Sequence, residues 1–318
     1  MANTAFATEN ALTKKLWSAK LTKEIQQSLA LSNMMDESGN KAVHVKTDLM
    51  KQKGDRITIG LRMRPSGAGQ TSSTTGITLE GNEEALSFYD FSVSLSEYGN
   101  AFRTGSKLDL QRPAFDLRTE LKDAAKEWAS DRLEDLLAAA LVASPTSNRY
   151  YDKTATGSDG YLTVAYIQML KRQAKLANPK VPPMKIGGKD YWVLLAHPYA
   201  LKGLKADTEY KNMQLYANIR GNKNPLISGA EGLVDGVLIY EYDRDALLQT
   251  GDVVRSVLLG RQALLLAWGQ KPSWYEKLFD YERIPGVATD FVLGVGKTVF
   301  NSEDFGCMTI DNDYAADS

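Results

Sequence analysis

The chain has 318 residues, 43% of them hydrophobic and 24% charged, with 38 basic against 39 acidic side chains and a net charge of -1. That composition excludes a disordered chain, lacks the basic excess of a protein whose main task is to grip nucleic acid, and with Cys307 as the one cysteine allows no intrachain disulfide. No stretch approaches the roughly 18 apolar residues of a membrane span, and the N-terminal MANTAFATENALTKKLW lacks the apolar run of a signal peptide, so a soluble protein made in a reducing cytoplasm is expected.

Residues 1–45 read as an arm. Leu12, Leu16, Ala19, Ile25 and Leu29 approach helical spacing over 11–31, and Trp17 is a candidate anchor on a neighbour or on the rest of the chain. Residues 56–62 alternate as a strand, with Ile57, Ile59 and Leu61 on one face and Arg56, Thr58 and Arg62 on the other. The run 65–76, PSGAGQTSSTTG, has too few apolar side chains to form a core and reads as the tip of a long hairpin. The returning side is 88–102, where Phe91, Val93 and Leu95 alternate with serines.

Two charge groups flank the tip: Arg56, Arg62 and Arg64 before it, Glu80, Glu83 and Glu84 after it. A hairpin alone in water is unstable, and open edges invite aggregation. The charges therefore read as a self-complementary interface, arginines of one copy meeting carboxylates of the next. The bland alternative is a solvated hairpin.

A long helix is predicted over 113–143. Pro113 suits its first turn, where the missing N–H costs nothing. Leu117, Leu121, Ala124, Ala125, Trp128, Leu136, Ala140 and Leu141 form its apolar stripe, and Arg118, Glu120, Lys122, Lys126, Glu127 and Glu134 cover the other side. Its length would be about 45 Å, and Ser144-Pro145 ends it. A second helix is expected at 164–177, a linker at 180–189, a buried strand at 191–195 and a helix at 198–206. A loop over 207–236 is unusually long for a compact domain. Strands follow at 237–242, 257–260 and 264–268, and the chain is strand-rich from 274 to 310, most clearly at 291–295 and 297–300.

Chemistry is hard to find in this sequence. The two histidines, His44 and His197, read as structural, and no G-x-S-x-G elbow accompanies either. One cysteine and two distant histidines cannot supply a zinc site. The Glu80, Glu83 and Glu84 cluster lacks the alternating Asp/Asn ligands of a calcium loop. Gly294-Val295-Gly296-Lys297-Thr298 carries the tail of a P-loop, but Phe291 stands where the first glycine is required, so a strand or turn is expected. Gly187-Gly188 lacks dinucleotide-loop spacing, and Cys307 reads as a small buried apolar residue. The expectation is a protein that is not an enzyme, with no catalytic residues, cofactor or metal.

The order of parts is informative in its own right. LEGNEEALSFYDFSV followed by QRPAFDLRTELKDAAKEWASDRLEDLL resembles tailed-bacteriophage major capsid proteins of the Hong Kong type, and in particular the family from podophages related to the coliphage with a giant virion RNA polymerase. The motif match covers 77–137, with Glu80–Glu84, Gln111-Arg112 and Phe115-Asp116-Leu117-Arg118 as its most specific parts. The resemblance implies an α+β phage capsid fold. Its parts would be an N-terminal arm at 1–45, an extended β-hairpin loop at 46–105 and a peripheral domain at 106–189 holding the spine helix 113–143. An α/β axial domain at 190–262 and a C-terminal return to the peripheral domain at 263–318 would complete it.

It further implies hexamers and pentamers of an icosahedral virion shell, assembled in the bacterial host cytoplasm around double-stranded DNA that the shell touches only weakly and non-specifically. The partners implied are other copies of the chain, a separate scaffolding protein, a portal and a decoration protein, with no membrane. The competing readings are an encapsulin-like cargo compartment and a cytoplasmic enzyme with a lid at 64–78.

Overall fold

A computed structural model describes residues 21, 24–25, 29–50, 54–63, 65, 67, 69, 79–106, 112, 117–154, 160–216, 230–281 and 283–314. The strands in chain order are β1 (Met35–Asp36), β2 (Val43–Lys46), β3 (Arg56–Arg62), β4 (Phe88–Ser94), β5 (Ser96–Arg103), β6 (Tyr150–Asp152), β7 (Met184–Ile186), β8 (Lys189–Ala196), β9 (Gly232–Val234), β10 (Val237–Glu241), β11 (Leu248–Gln249), β12 (Val253–Leu259), β13 (Leu264–Phe279), β14 (Ile284–Lys297), β15 (Val299–Phe300), β16 (Glu303–Asp304) and β17 (Cys307–Asp313). The helices are α1 (Leu117–Val142), α2 (Val164–Leu176), α3 (Pro198–Ala206) and α4 (Thr208–Tyr216).

Two sheets organise this α+β chain. One has five strands in the order β1-β2-β13-β14-β5, dominated by the long antiparallel hairpin of β13 and β14. The other runs β6-β17-β12-β8-β10-β9, with β11 and β7 attached to β12 and β8. Because β8 and β10 are parallel, they need a crossover, which α3 and α4 supply. The second sheet draws β6 and β17 from outside 190–262, since β17 pairs with β12 along its whole length.

Alternation along β8 explains how that sheet is buried. Trp192, Leu194 and Ala196 pack with α2 and α3 through Ile167, Leu170, Leu201 and Leu204. Val193 and Leu195 point to the other face, into a core shared with Ala125, Ala129, Leu133, Leu137 and Leu141 of α1. A strand covered on both faces reads as a continuous apolar run, as YWVLLA does. Each fully buried leucine contributes about 1.5–3 kcal/mol.

Local chemistry sets the ends of several elements. Gly187 and Gly188 have φ of 57° and 81° and join β7 to β8 where Ile186 faces Lys189, the two-residue turn that needs positive φ at both positions. The α3 N-terminus has Pro198 in its first turn and is capped by His197, whose Nδ1 accepts from the Tyr199 N–H at 3.3 Å. Asp207 caps two helices at once, accepting from Val164 N at 2.9 Å and from Glu209 N at 3.0 Å. The C-terminal end of α1 is held from both sheets: Arg255 donates to Val142 O at 3.0 Å, and Lys297 donates to O of the following Ala143 at 2.6 Å.

Three sequence expectations change. Residues 207–236 do not start as a loop, because α4 occupies 208–216 and packs Tyr210 inward. The returning side 88–102 is not one strand: it breaks at Leu95, and β5 leaves the hairpin to pair with β14. Glu134 is not on a solvent face but buried, because Arg244 meets it. Of the two anchorages left open for the arm, its described apolar residues Leu21, Ile25, Leu29 and Leu31 lie in a core shared with the chain's own α1.

Candidate functional site

The projecting element is the two-stranded hairpin of β3 and β4. Ile57 faces Val93, Ile59 faces Phe91 and Leu61 faces Tyr89, the register that the alternation predicts. Only its root is buried. Ile57 and Val93 are covered, and the hairpin sits on β14 where side chains are missing. A Cβ at Gly294 would lie 2.4 Å from Ser94 O, and one at Gly296 would lie 2.8 Å from a Val93 methyl and 3.0 Å from the Phe91 ring. Phe91 continues into an edge-to-face chain with Phe300 at 6.4 Å, and Phe300 with Phe305 at 5.3 Å. The glycines of GVGKT therefore make a seat for the hairpin.

From its root outward the hairpin carries residues singled out by sequence. Arg56 and Arg62 stand exposed at the two ends of β3, opposite Ser94 and Phe88. Glu80, Glu83 and Glu84 are exposed on the segment that leads into β4. Glu83 accepts from Gly81 N at 2.9 Å, and Glu84 reaches across to Gly67 N at 2.9 Å. No ion pair joins Arg56 or Arg62 to Glu80 or Glu83 among the described residues. Trp17 and Arg64 lie outside the described residues. Sequence reasoning missed the apolar part of the segment: Leu79, Leu86 and Phe88 are 66%, 53% and 66% exposed.

Behind the hairpin, charged clusters fix how the body's parts meet. Arg244 donates to Glu134 at 2.6 and 3.1 Å, to Asp131 at 3.1 Å and to Asp135 at 3.3 Å, and the Ala30 N–H also donates to Glu134. Burial opposes the Arg244 charge, but its hydrogen bonds to Asp131 and Glu134 win and hold the guanidinium above its ordinary range. Arg255 binds Asp311 through two contacts of 2.7 Å. Burial and the hydrogen bond to Asp311 push Tyr150 up to about 12. Lys297 bonds Asp304 at 3.0 Å with both side chains buried.

The candidate chemical groups do not assemble. His197 serves as a helix cap, and burial holds it below its ordinary value. His44 lies on β2 between β1 and β13, also lowered by burial. Cys307 is fully buried, and burial pushes its thiol up to about 12. Among the described residues no group of three His, Cys, Asp or Glu side chains could hold a metal, and no helix is long and apolar enough to cross a membrane.

A family model described as phage capsid protein matches residues 5–151 and 138–316. The major capsid protein of Pseudomonas phage KPP25 is 25% identical, over 93% of this chain and 94% of the relative. Among solved structures, the capsid of Ralstonia phage GP4 is similar with a TM-score of 0.80 at 22% identity, covering all of both chains. The Cyanophage Pam1 capsid has a TM-score of 0.79 at 20% identity, again over both full lengths.

Proposed function

Because the chain belongs to the phage capsid protein family, we propose that it is the major capsid protein of a tailed-phage head. It is a structural subunit that assembles with its own copies into the hexamers and pentamers of an icosahedral virion shell around double-stranded DNA. The agreement in fold with the GP4 capsid over the whole chain carries this reading. Physical support comes from the hairpin. It projects from its seat with exposed leucines and phenylalanine, a surface that a lone subunit leaves wet and a neighbouring copy would cover.

In this reading 1–45 is the arm, 46–105 the extended loop, 106–189 the peripheral domain with α1 as its spine, 190–262 the axial domain and 263–318 the return. Scaffolding, portal and decoration proteins are separate partners, and the DNA is touched weakly. The finer placement, with capsid proteins of podophages related to the coliphage with a giant virion RNA polymerase, rests on Glu80–Glu84, Gln111-Arg112 and Phe115–Arg118.

Electron microscopy with light scattering on purified particles tests this. Uniform icosahedral shells far larger than one 35.1 kDa chain are expected, and DNA inside separates a virion from a cargo compartment. A chain that stays small when co-expressed with its scaffold and portal would overturn the reading.

A further inference from the structure

Residues 164–189 carry six cations and no acid: Lys171, Arg172, Lys175, Lys180, Lys185 and Lys189. The rest of the chain holds 32 basic against 39 acidic side chains, so a near-neutral protein gathers a basic excess in one stretch. The fold keeps that stretch together. Lys171, Arg172 and Lys175 lie in the second half of α2, and Lys180 follows it where the Val181 N–H returns to Ala174 O at 3.0 Å. Lys185 and Lys189 flank the Gly187-Gly188 turn between β7 and β8. Trp192 of β8 ties the two groups to each other. Its buried ring packs with Ile167 and Leu170 of α2, and the Lys171 and Lys175 ammonium groups lie 5.9 and 5.6 Å from its centroid. Asp190 shares the Trp192 face of β8 and stands opposite Lys185, so Lys185 is on the α2 side of the hairpin. The helix dipole favours cations at the end of α2, but Lys180, Lys185 and Lys189 lie beyond it.

Arg172, Lys175, Lys180, Lys185 and Lys189 are exposed, and no ion pair engages any of them among the described residues. Lys171 is half-buried and bonded to Asp235 at 2.9 Å. Asp190 and Asp235 border the patch and leave it strongly positive. Leu176 is exposed beside Lys175, but a protein-docking site centres on apolar or aromatic anchors in pockets. Single cations spread over a helix end and a hairpin fit instead a polyanion that is neutralised charge by charge. We infer that this face, from the end of α2 to the β7–β8 turn, lines the interior of the shell and contacts the phosphate backbone of the enclosed duplex without reading its sequence. This rests on the shell-subunit reading and deepens it, since it puts the weak DNA contact on named side chains. Each copy neutralises only a few phosphates, and the acidic excess of the remaining chain repels the others. One subunit therefore grips weakly, and the many copies of a shell hold the duplex together at separate points.

Two measurements test this. Fluorescence anisotropy follows binding of the purified subunit to a duplex of arbitrary sequence. Lys175→Gln/Lys185→Gln/Lys189→Gln should weaken binding at least tenfold at low salt and flatten the slope of log K against log salt by about 2–3. Arg56→Gln/Arg62→Gln/Lys277→Gln, which removes three exposed cations elsewhere, should change both little. In DNA-filled particles, formaldehyde crosslinking followed by nuclease digestion and peptide mass spectrometry should place most nucleotide adducts on Lys175, Lys180, Lys185 and Lys189. No duplex binding by the unmodified subunit, equal weakening by the two triple variants, or adducts concentrated on other lysines would overturn the inference while leaving the shell reading intact. Crosslinks from these four lysines to an acidic protein in place of nucleotides would do the same. An unmodified chain that forms no shells with its scaffold present would overturn both.

Discussion

Replacing Arg244 by alanine separates a buried ion-pair partner from two exposed ones on the same arginine. Arg244 touches three carboxylates, but they are not equivalent: the Asp131 and Asp135 side chains are 66% and 54% exposed, and that of Glu134 is 6% exposed. The two exposed partners are each worth about 0–1 kcal/mol. Glu134 is different, because without Arg244 its charge stays buried. Breaking a buried pair from one side costs about 3–5 kcal/mol, a large share of a typical domain's 5–15 kcal/mol. Arg244→Ala should therefore lower the urea-unfolding free energy of the purified subunit by about 3–5 kcal/mol. Asp131→Ala and Asp135→Ala should each lower it by under about 1 kcal/mol. In a double-mutant cycle Glu134→Ala should couple to Arg244→Ala by about 1–3 kcal/mol. Equal losses for all three arginine partners, or additivity between Glu134 and Arg244, would refute the claim that burial of one carboxylate sets the energy.

Gly294→Ala places a methyl against Ser94 O and Val93. It should cost about 1–3 kcal/mol by overpacking and make the hairpin root more sensitive to limited proteolysis; a wild-type digestion pattern would count against the seat. Trp128 is half-buried, with its ring 5.8 Å from that of Phe291. Trp128→Ala should cost less than the about 3–5 kcal/mol of a fully buried aromatic, and an unchanged melting temperature would show that the ring is not packed. Deleting 65–76 should leave the unfolding midpoint in place and abolish shells under the microscope; intact shells would remove the clasp role from the tip. Burial holds His44 and His197 below their ordinary values, so the folded state favours neutral rings. Their contribution is full above the unfolded value of about 6.5 and is lost as pH falls below it. The drop in unfolding free energy from pH 7.5 to 5.5 should shrink in His44→Gln, and an unchanged drop would mean that His44 plays no part.

Local pattern carried much of the fold into the sequence. The period-two alternation of 56–62 and 88–94 fixes the register of β3 with β4, and Ser144-Pro145 marks the end of α1. What stayed hidden depends on distant partners. Glu134 has the look of a surface residue because Arg244, 110 positions away, is what permits its burial. The break at Leu95 left a trace that the sequence reading passed over: Ser96 and Glu97 are both polar, and the apolar phase moves from Phe91, Val93 and Leu95 to Tyr98 and Phe102. Among the described side chains of α4 only Tyr210 and Met213 pack inward, so 208–216 reads as loop. The candidate surface was half legible: its charges stood out, whereas the exposure of Leu79, Leu86 and Phe88 shows only in the structure. The pairing of β5 with β14 joins segments far apart in the chain, which no local window sees.

The placement of β17 also sets an order of events during synthesis. It lies between β6 and β12, yet it follows both in the chain. While a ribosome is still making 263–306, β12 has one open edge and β6 has nothing to pair with. An open apolar edge is a template for the wrong strand, and chains fold from the N-terminal side as they emerge. The nascent subunit thus passes through a sticky interval that closes only when 307–313 arrive. Chaperone demand during head production should concentrate in that interval.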